Sequence, residues 1–422
     1  MKWQTGVSFK WREGVNLSGF SSVAKLNAEQ TKLSQLPNIY FSLGYGRSFG
    51  RSINPTTNDF DNSSYDYTGM NGSGSVLLFG WFQKRNTIAR SNLLHQASEA
   101  DVDQIQNDVS LNVVTGYLRI LLAQEQISIS NDALAVSKQK TDQTAQLLEA
   151  GRSNGLDMAQ MRTQLTTDST LYFKALLDYH QAVIDLKAIL NLQLETPFAP
   201  APVAQEDIPL QNLYTLTPQE VFQVAANRLG GIRSSVLKVK GAEKDVQIAK
   251  SNLYPQLSLS ASSGSNYSSN YYQYLSNGDE VLMPWGKQLR NNFSQSISLN
   301  INIPVFNGLS ARYTIKQARL ALQNVRLQEQ ETESELKQSV FKAWNDAQTA
   351  LQTYNATRSA AATAATGLYF AQQRYDKGLI NAADFLTAQN TNFQAQSNEA
   401  SAKYDLIFKI KVIEYYFNGA NY

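Results

Sequence analysis

The stretch Phe293-Ser294-Gln295-Ser296-Ile297-Ser298-Leu299-Asn300-Ile301-Asn302-Ile303-Pro304-Val305-Phe306 decides the fold. Phe293, Ile297, Leu299, Ile301, Ile303 and Val305 fall on one side of an extended chain. Ser294, Ser296, Ser298, Asn300 and Asn302 fall on the other, because successive side chains of a strand point to opposite faces. Two more runs share the pattern. Ile39, Phe41, Leu43 and Tyr45 alternate with Tyr40, Ser42 and Gly44, and Leu257, Leu259 and Ala261 alternate with Ser258, Ser260 and Ser262. The run 75–82 is apolar on both sides and is the least clean of the four.

A sheet with one apolar face has two uses. In a soluble sandwich that face turns inward; in a membrane barrel it turns out to lipid. Two features favour the barrel. The polar faces are small and hydroxyl-rich, as a water-filled lumen requires. Aromatic residues also gather near the strand ends: Tyr40, Tyr45, Phe49, Trp81 and Phe82, then Tyr267, Tyr271, Tyr272 and Trp285. Of these, Tyr40, Tyr45, Trp81, Phe82 and Trp285 are the candidate membrane-interface aromatics.

The chain repeats itself. A shift of 227 residues aligns Phe79 with Phe306, Arg85 with Arg312, Thr87-Ile88 with Thr314-Ile315 and Gln96 with Gln323. Without a gap it goes on to align Val113 with Val340, Gly151 with Gly378 and Asp157 with Asp384. After each second strand the period changes. Residues 84–150 and 311–377 lack proline and read as helices. Val340, Trp344, Ala347, Leu351 and Tyr354 step by four and three, a coiled-coil spacing, and Ile105, Val109, Val113, Tyr117 and Leu121 form a comparable stripe. Each helix is about 67 residues, or about 100 Å, long.

The expected organisation is a first repeat over 1–195 and a second over 218–422, joined by a proline-bearing linker at 196–217. The first holds a short N-terminal helix, strands at about 37–49 and 72–82, a long helix at about 84–150 and a returning helix at about 156–194. The second holds a helix at about 218–252, opened by Thr217-Pro218, strands at about 256–265 and 293–306, a long helix at about 311–377 and a returning helix at about 383–417.

Composition narrows the function. The 37 Lys and Arg nearly cancel the 35 Asp and Glu, and they are scattered, so no basic surface for nucleic acid is expected. No run of about 18 apolar residues reads as a transmembrane helix, which leaves a barrel open. Cysteine is absent, so disulfides, thiolate metal sites, a cysteine nucleophile and a lipid-modified N-terminal cysteine are not expected. His95 and His180 are the only histidines and define no metal site. No phosphate loop, dinucleotide fingerprint or nucleophile motif is present, so neither an enzyme nor a cofactor is expected. The N-terminus lacks the apolar core of a signal peptide, since Lys10, Arg12 and Glu13 interrupt it. For an exported protein, a mature or rebuilt start is the expectation.

Four strands cannot close around a lumen, and open edges are forbidden in lipid. Closure then falls to copies of the chain. Three copies give twelve strands and an open pore, whereas two give eight and a nearly filled one. The fold class expected is therefore α+β: two repeats, four strands per chain in a trimeric 12-stranded β-barrel, and a long antiparallel α-helical coiled-coil tube.

At this point the chain resembles the TolC-like outer-membrane efflux protein family, from about Ser21 to its end. Ala226-Asn227-Arg228, then Ile232, Ala242, Ile248, Ala249 and Pro255-Gln256-Leu257, is similar to the family's helix-into-strand signature. Pro304-Val305-Phe306-Asn307-Gly308 resembles its strand-to-helix turn, with Leu78-Phe79-Gly80 as the first-half counterpart. Arg374-Tyr375, Gly378 and Asp384-Phe385-Leu386 resemble the second hairpin tip, and residues 49–55 resemble an external loop of one branch. The first 20 residues fit poorly where the family has a helix, which implies a shortened N-terminal helix. The resemblance implies a homotrimer in the outer-membrane lipid. Its tube would cross the periplasm to meet an inner-membrane transporter through a periplasmic adaptor (membrane fusion) protein. Such a duct would serve passive efflux or type I secretion. A soluble periplasmic coiled-coil adaptor or scaffold without a pore is the alternative; it would explain the hairpins but not the aromatic-flanked strands.

Two groups of site residues follow. Asp384 is either an N-terminal helix acid, capping or complementing the dipole, or part of a ring of carboxylates at the periplasmic aperture. The family often carries a second acid three residues on, and here that position is Thr387. Asp157, the repeat partner of Asp384, is expected to be a cap. Gly151, Arg152, Gly155, Gly378 and Leu379 lie at the two turns, where glycine ends helices and where the resemblance implies adaptor docking.

Overall fold

The computed structural model describes residues 18–54, 56–195, 198, 217–276 and 278–418. The N-terminal stretch 1–17, nearly all of the 196–217 linker and Pro55 lie outside the described residues.

The strand-rich part contains β1 (Asn38–Ser48), β2 (Arg51–Ile53), β3 (Phe60–Asn62), β4 (Tyr65–Phe79), β5 (Gln256–Ser268), β6 (Tyr272–Tyr274), β7 (Glu280–Leu282) and β8 (Ser294–Asn302). β1, β4, β5 and β8 form one antiparallel sheet in the order β1-β4-β5-β8. The pairs β2–β3 and β6–β7 are separate two-stranded hairpins.

Register fixes the faces. Ile39, Gly74, Ala261 and Ile297 lie in one row across the sheet, and Val76, Leu259 and Leu299 lie in another on the same face. The opposite face carries the rows Tyr40–Ser73–Ser262–Ser296 and Asn38–Ser75–Ser260–Ser298. Hydroxyls pair across it: Ser262 Oγ lies 2.8 Å from Ser296 Oγ, and Asn300 Nδ2 donates to Ser260 Oγ at 3.0 Å. No charged residue stands on this face in any of the four strands.

Three strand boundaries differ from the expected ones. β4 begins at Tyr65 rather than near 72, because its glycines belong to the ladder: Gly69, Gly72 and Gly74 pair with Gly44, Phe41 and Ile39. β5 runs on to Ser268. β8 stops at Asn302 rather than 306, where Pro304 has no N–H to give a ladder.

The helices are α1 (Ser18–Leu33), α2 (Gln83–Glu149), α3 (Gly155–Ile189), α4 (Pro218–Arg228), α5 (Gly230–Ser251), α6 (Trp285–Asn291), α7 (Ser310–Asp376) and α8 (Ala382–Asn418). α2 and α7 have 67 residues each. The single helix expected over 218–252 is two. Thr217 and Glu220 form a reciprocal capping box with Pro218 in the first turn, and Leu229, at ψ 137°, then breaks the helix. Gly230 is needed at the break, since a Cβ there would stand 2.2 Å from the Ala100 carbonyl oxygen. α6 and the two small hairpins were not foreseen.

The chain divides into two compact units, each drawing on both repeats. One comprises 21–98 and 236–328 and holds all the strands. The other comprises 1–20, 99–235 and 329–422. Its largest apolar core joins Val221, Phe222 and Ala225 of α4, Val340, Ala347 and Leu351 of α7, and Leu406, Ile410 and Ile413 of α8. Trp344 and Tyr354 pack against it, so the whole second-half stripe faces inward. In α2, Gly116, Ile120 and Ala123 are buried, and Val113 and Tyr117 of the expected stripe pack against the Ile120 cluster, while its Ile105 is 37% exposed. Gly116 admits Leu186 of α3 closely, with a Cβ position 3.1 Å from its side chain.

Candidate functional site

Two places carry the candidate residues: the sheet and the two hairpin tips.

On the sheet, Ile39, Phe41, Leu43, Tyr45, Ile297, Leu299 and Ile301 are between 61% and 80% exposed. A soluble sandwich would cover this face. Aromatics mark both ends of the strands. At one end Tyr45, Thr68 and Tyr267 share a row on the apolar face. At the other, Trp81 stacks on Tyr254 with ring centroids 4.3 Å apart, and Phe79 meets Trp81 and Phe82 edge-on. Thr68 to Phe79 spans about 36 Å of strand, or about 28 Å when tilted by about 40°, close to the apolar band of an outer-membrane barrel. Trp285 opens α6 and is 51% exposed.

Tyr40 departs from the expected girdle. Its register with Ser73 puts it on the hydroxyl face, because residues 40 and 45 have opposite parity along β1. Trp81 and Phe82 both have positive φ, 52° and 63°. Their repeat partners, Gly308 and Leu309, take the same left-handed turn at 61° and 65°. The turn thus accepts glycine, and in the first repeat it holds an indole against Tyr254 instead.

At the first tip, α2 ends in two bonds: Gly151 N–H donates to Leu148 O at 3.0 Å and Arg152 N–H to Leu147 O at 2.7 Å. Gly151 has φ +72°, the left-handed conformation this stop requires. Asn154 then caps α3, its Oδ1 accepting from Asp157 N–H at 2.9 Å, and Gly155 is the first helical residue. The second tip repeats this at the 227-residue shift. Gly378 N–H donates to Tyr375 O at 2.9 Å and Leu379 N–H to Arg374 O at 2.8 Å, with Gly378 at φ +69°. Asn381 Oδ1 accepts from Asp384 N–H at 2.8 Å, at the start of α8.

The caps are therefore Asn154 and Asn381, not Asp157 or Asp384. Both aspartates sit at the third helical position. Asp157 also accepts from Asn154 Nδ2 at 3.0 Å. The carboxylate of Asp384 is exposed and has no hydrogen-bond or ion-pair partner among the described residues. Thr387, one turn on, turns its hydroxyl back to Ala383 O at 2.9 Å. It borders an open groove of about 580 Å³ between α7 and α8, with Thr357, Asn390, Thr391 and Gln394. Leu156 and Leu379 are 67% and 63% exposed at the tips.

Beneath the second tip lies an anchorage that the sequence reading missed. Tyr375 stacks on Phe385 at 5.1 Å, and Phe385 is fully buried with Met161 and Ala382. Tyr375 Oη lies 3.0 Å from Thr144 Oγ1. Lys140, 1% exposed, forms an ion pair with Asp376. Deeper, Ser137 of α2 and Gln389 of α8 converge on the carboxylate of Asp168 in α3. The available signal was Ser130, Ser137 and Thr144, hydroxyl residues seven apart on a helix face that should be apolar.

The family model described as "Outer membrane efflux protein" matches residues 22–192 and 222–407. Outer membrane efflux protein BepC of Brucella suis biovar 1 is 21% identical over 334 residues, 78% of this chain and 68% of that protein. Outer membrane protein TolC of Escherichia coli K12 is 22% identical over 422 residues, 93% of this chain and 83% of that protein. The crystal structure of outer membrane protein VceC from Vibrio cholerae superposes with a TM-score of 0.78 at 15% identity, covering 96% of this chain and 92% of the other.

Proposed function

We propose, from the premise that this chain belongs to the outer membrane efflux protein family, that three copies close into one passive export duct. The chain is an outer-membrane efflux channel protein, extending into the periplasm. The observation that carries the trimer is the sheet itself. β1 and β8 each leave one edge unpaired, and the sheet has one exposed apolar face and one uncharged hydroxyl face. An unpaired edge in lipid leaves N–H and C=O groups without partners, at several kcal/mol each. In each copy β1 and β8 run antiparallel to each other, so β8 of one copy can receive β1 of the next. Twelve strands leave a lumen, with the hydroxyl face inward.

The tips follow from the same reading. Asp384 presents an unpartnered carboxylate beside a helix N-terminus, and three such groups around one axis would favour cations at the mouth. Thr387 adds no second charge. Gly151, Arg152, Gly155, Gly378 and Leu379 form the turns, and Leu156 and Leu379 offer uncovered apolar side chains to a periplasmic adaptor. An inner-membrane transporter would lie beyond it. No catalytic step is required of this component. The mass of the detergent-extracted protein should be three times that of the chain, and that species should conduct in a planar bilayer. A monodisperse monomer without conductance would remove the proposal.

A further inference from the structure

We propose that Asp168 is a positioning residue for the channel mouth: with Ser137 and Gln389 it ties α8, which carries Asp384, to the first hairpin. This rests on the duct reading above.

The geometry is a buried carboxyl met by three helices. Asp168 is 3% exposed. Ser137 Oγ donates to its Oδ2, and Gln389 Nε2 approaches the same oxygen at 3.2 Å. Gln164 Nε2 donates to Oδ1 at 2.9 Å and also reaches Asn390 Oδ1 at 3.0 Å. Gln389 Nε2 further donates to Ser137 Oγ at 2.7 Å. Two consecutive residues of α8 are thus held by α2 and α3, about a turn and a half beyond Asp384 along α8. A displacement of α8 relative to α2 and α3 that widens a mouth lined by Asp384 pulls Gln389 and Asn390 off these partners.

Among the described residues no cation offsets the charge. From α2, Lys140 lies one turn from Ser137 but is committed to Asp376 of α7. α8 presents only the amides of Gln389, Asn390 and Asn392, and α3 adds the amide of Gln164. Burial therefore pushes the Asp168 carboxyl above the ordinary carboxylate range, against the lowering effect of its bonds from Ser137 and Gln164. Two acceptors of α8 are left over: Gln389 Oε1 and Asn392 Oδ1 are buried without a partner. A neutral carboxyl has an O–H to give. With the Gln389 amide turned over, Oε1 can receive it in exchange for the Nε2 bond to Ser137 Oγ.

The direction of the pH effect follows. The tied state holds the proton more tightly than a released, solvated carboxyl, so acid strengthens the tie. The tie weakens as pH rises through the raised value. One linked proton limits the change to about tenfold per pH unit.

Planar-bilayer conductance of the purified oligomer, followed from about pH 8 to about pH 5, reads this out. Wild type should close progressively in acid. Asp168→Asn, permanently neutral and of the same shape, should give a flat profile at the acid level. Ser137→Ala removes a donor that favours the ionised form and should move the midpoint to higher pH. Asp384→Asn, a control, changes charge at the mouth and should keep the midpoint. A wild-type profile surviving in both Asp168→Asn and Ser137→Ala overturns the inference, as does a midpoint lost only with Asp384. An oligomer silent at every pH would instead sink the duct reading, and this one with it.

Discussion

The two hairpin tips share a backbone and differ in what fastens them. Gly151 and Gly378 end their helices through the same pair of bonds, and Asn154 and Asn381 open the next helices with the same cap. Around the second tip, Tyr375, Phe385 and Lys140 bind it to neighbouring helices. The matching positions around the first tip are Leu148, which is 38% exposed, and Met158, which is buried but makes no ring stack. Helix stops and caps satisfy terminal N–H and C=O groups, a need that duplication does not remove. Side-chain anchorage answers to no such rule and was free to diverge. The second tip is built to be held.

Breaking the anchorage should have the largest effect. Phe385→Ala empties a fully buried site and should cost about 3–5 kcal/mol, exceeding Met158→Ala, in thermal unfolding of the detergent-solubilised protein. Equal losses would mean that the second tip is no better anchored than the first. The caps should then behave alike. Asn154→Ala and Asn381→Ala should each cost about 1 kcal/mol, read as faster amide hydrogen exchange in the first turns of α3 and α8. A large disparity would break the equivalence of the two backbones. Tyr375→Phe keeps the ring stack and loses the bond to Thr144, whose hydroxyl still reaches Lys140 O at 2.8 Å. About 0.5–1 kcal/mol of protection at the second tip should go with it. The smallest stability change, about 0.3–1 kcal/mol, is expected of Asp157→Ala and Asp384→Ala. These two should part company in function: reversal potentials in a salt gradient should show lower cation selectivity for Asp384→Ala alone. Selectivity retained in that variant would remove Asp384 from the mouth.

Much of the fold was open to inspection in the sequence because it rests on period. The alternation in 293–302 is the β8 hydroxyl face, and the 227-residue shift lands on both glycine stops. What stayed hidden depended on contacts between distant residues. Residues 65–71, with Gly69 among them, lie ahead of the expected strand; they are strand because Ser42 to Ser48 pair with them. Gly230 looked like helix interior, and the break is set by Ala100, 130 residues away. Tyr40 was grouped with the girdle by its place near a strand end, when parity should have decided its face. At the tips, Asp384 drew attention as an acid near a helix start, while the cap three residues earlier, Asn381, went unread. Asp168 gave no local sign, since its meaning lies in Ser137 and Gln389 on two other helices.

The uncharged inner face of the four strands has a further consequence for transport. A solute passing such a wall meets hydroxyls and amides whose bonds exchange with water at little net gain. It meets no fixed ion that salt would screen. Friction there should depend on the size and wetting of the cargo and hardly on ionic strength. Acidic, basic and neutral molecules of one diameter would cross that section at similar speed, and discrimination among them is left to the mouth and to whatever delivers them.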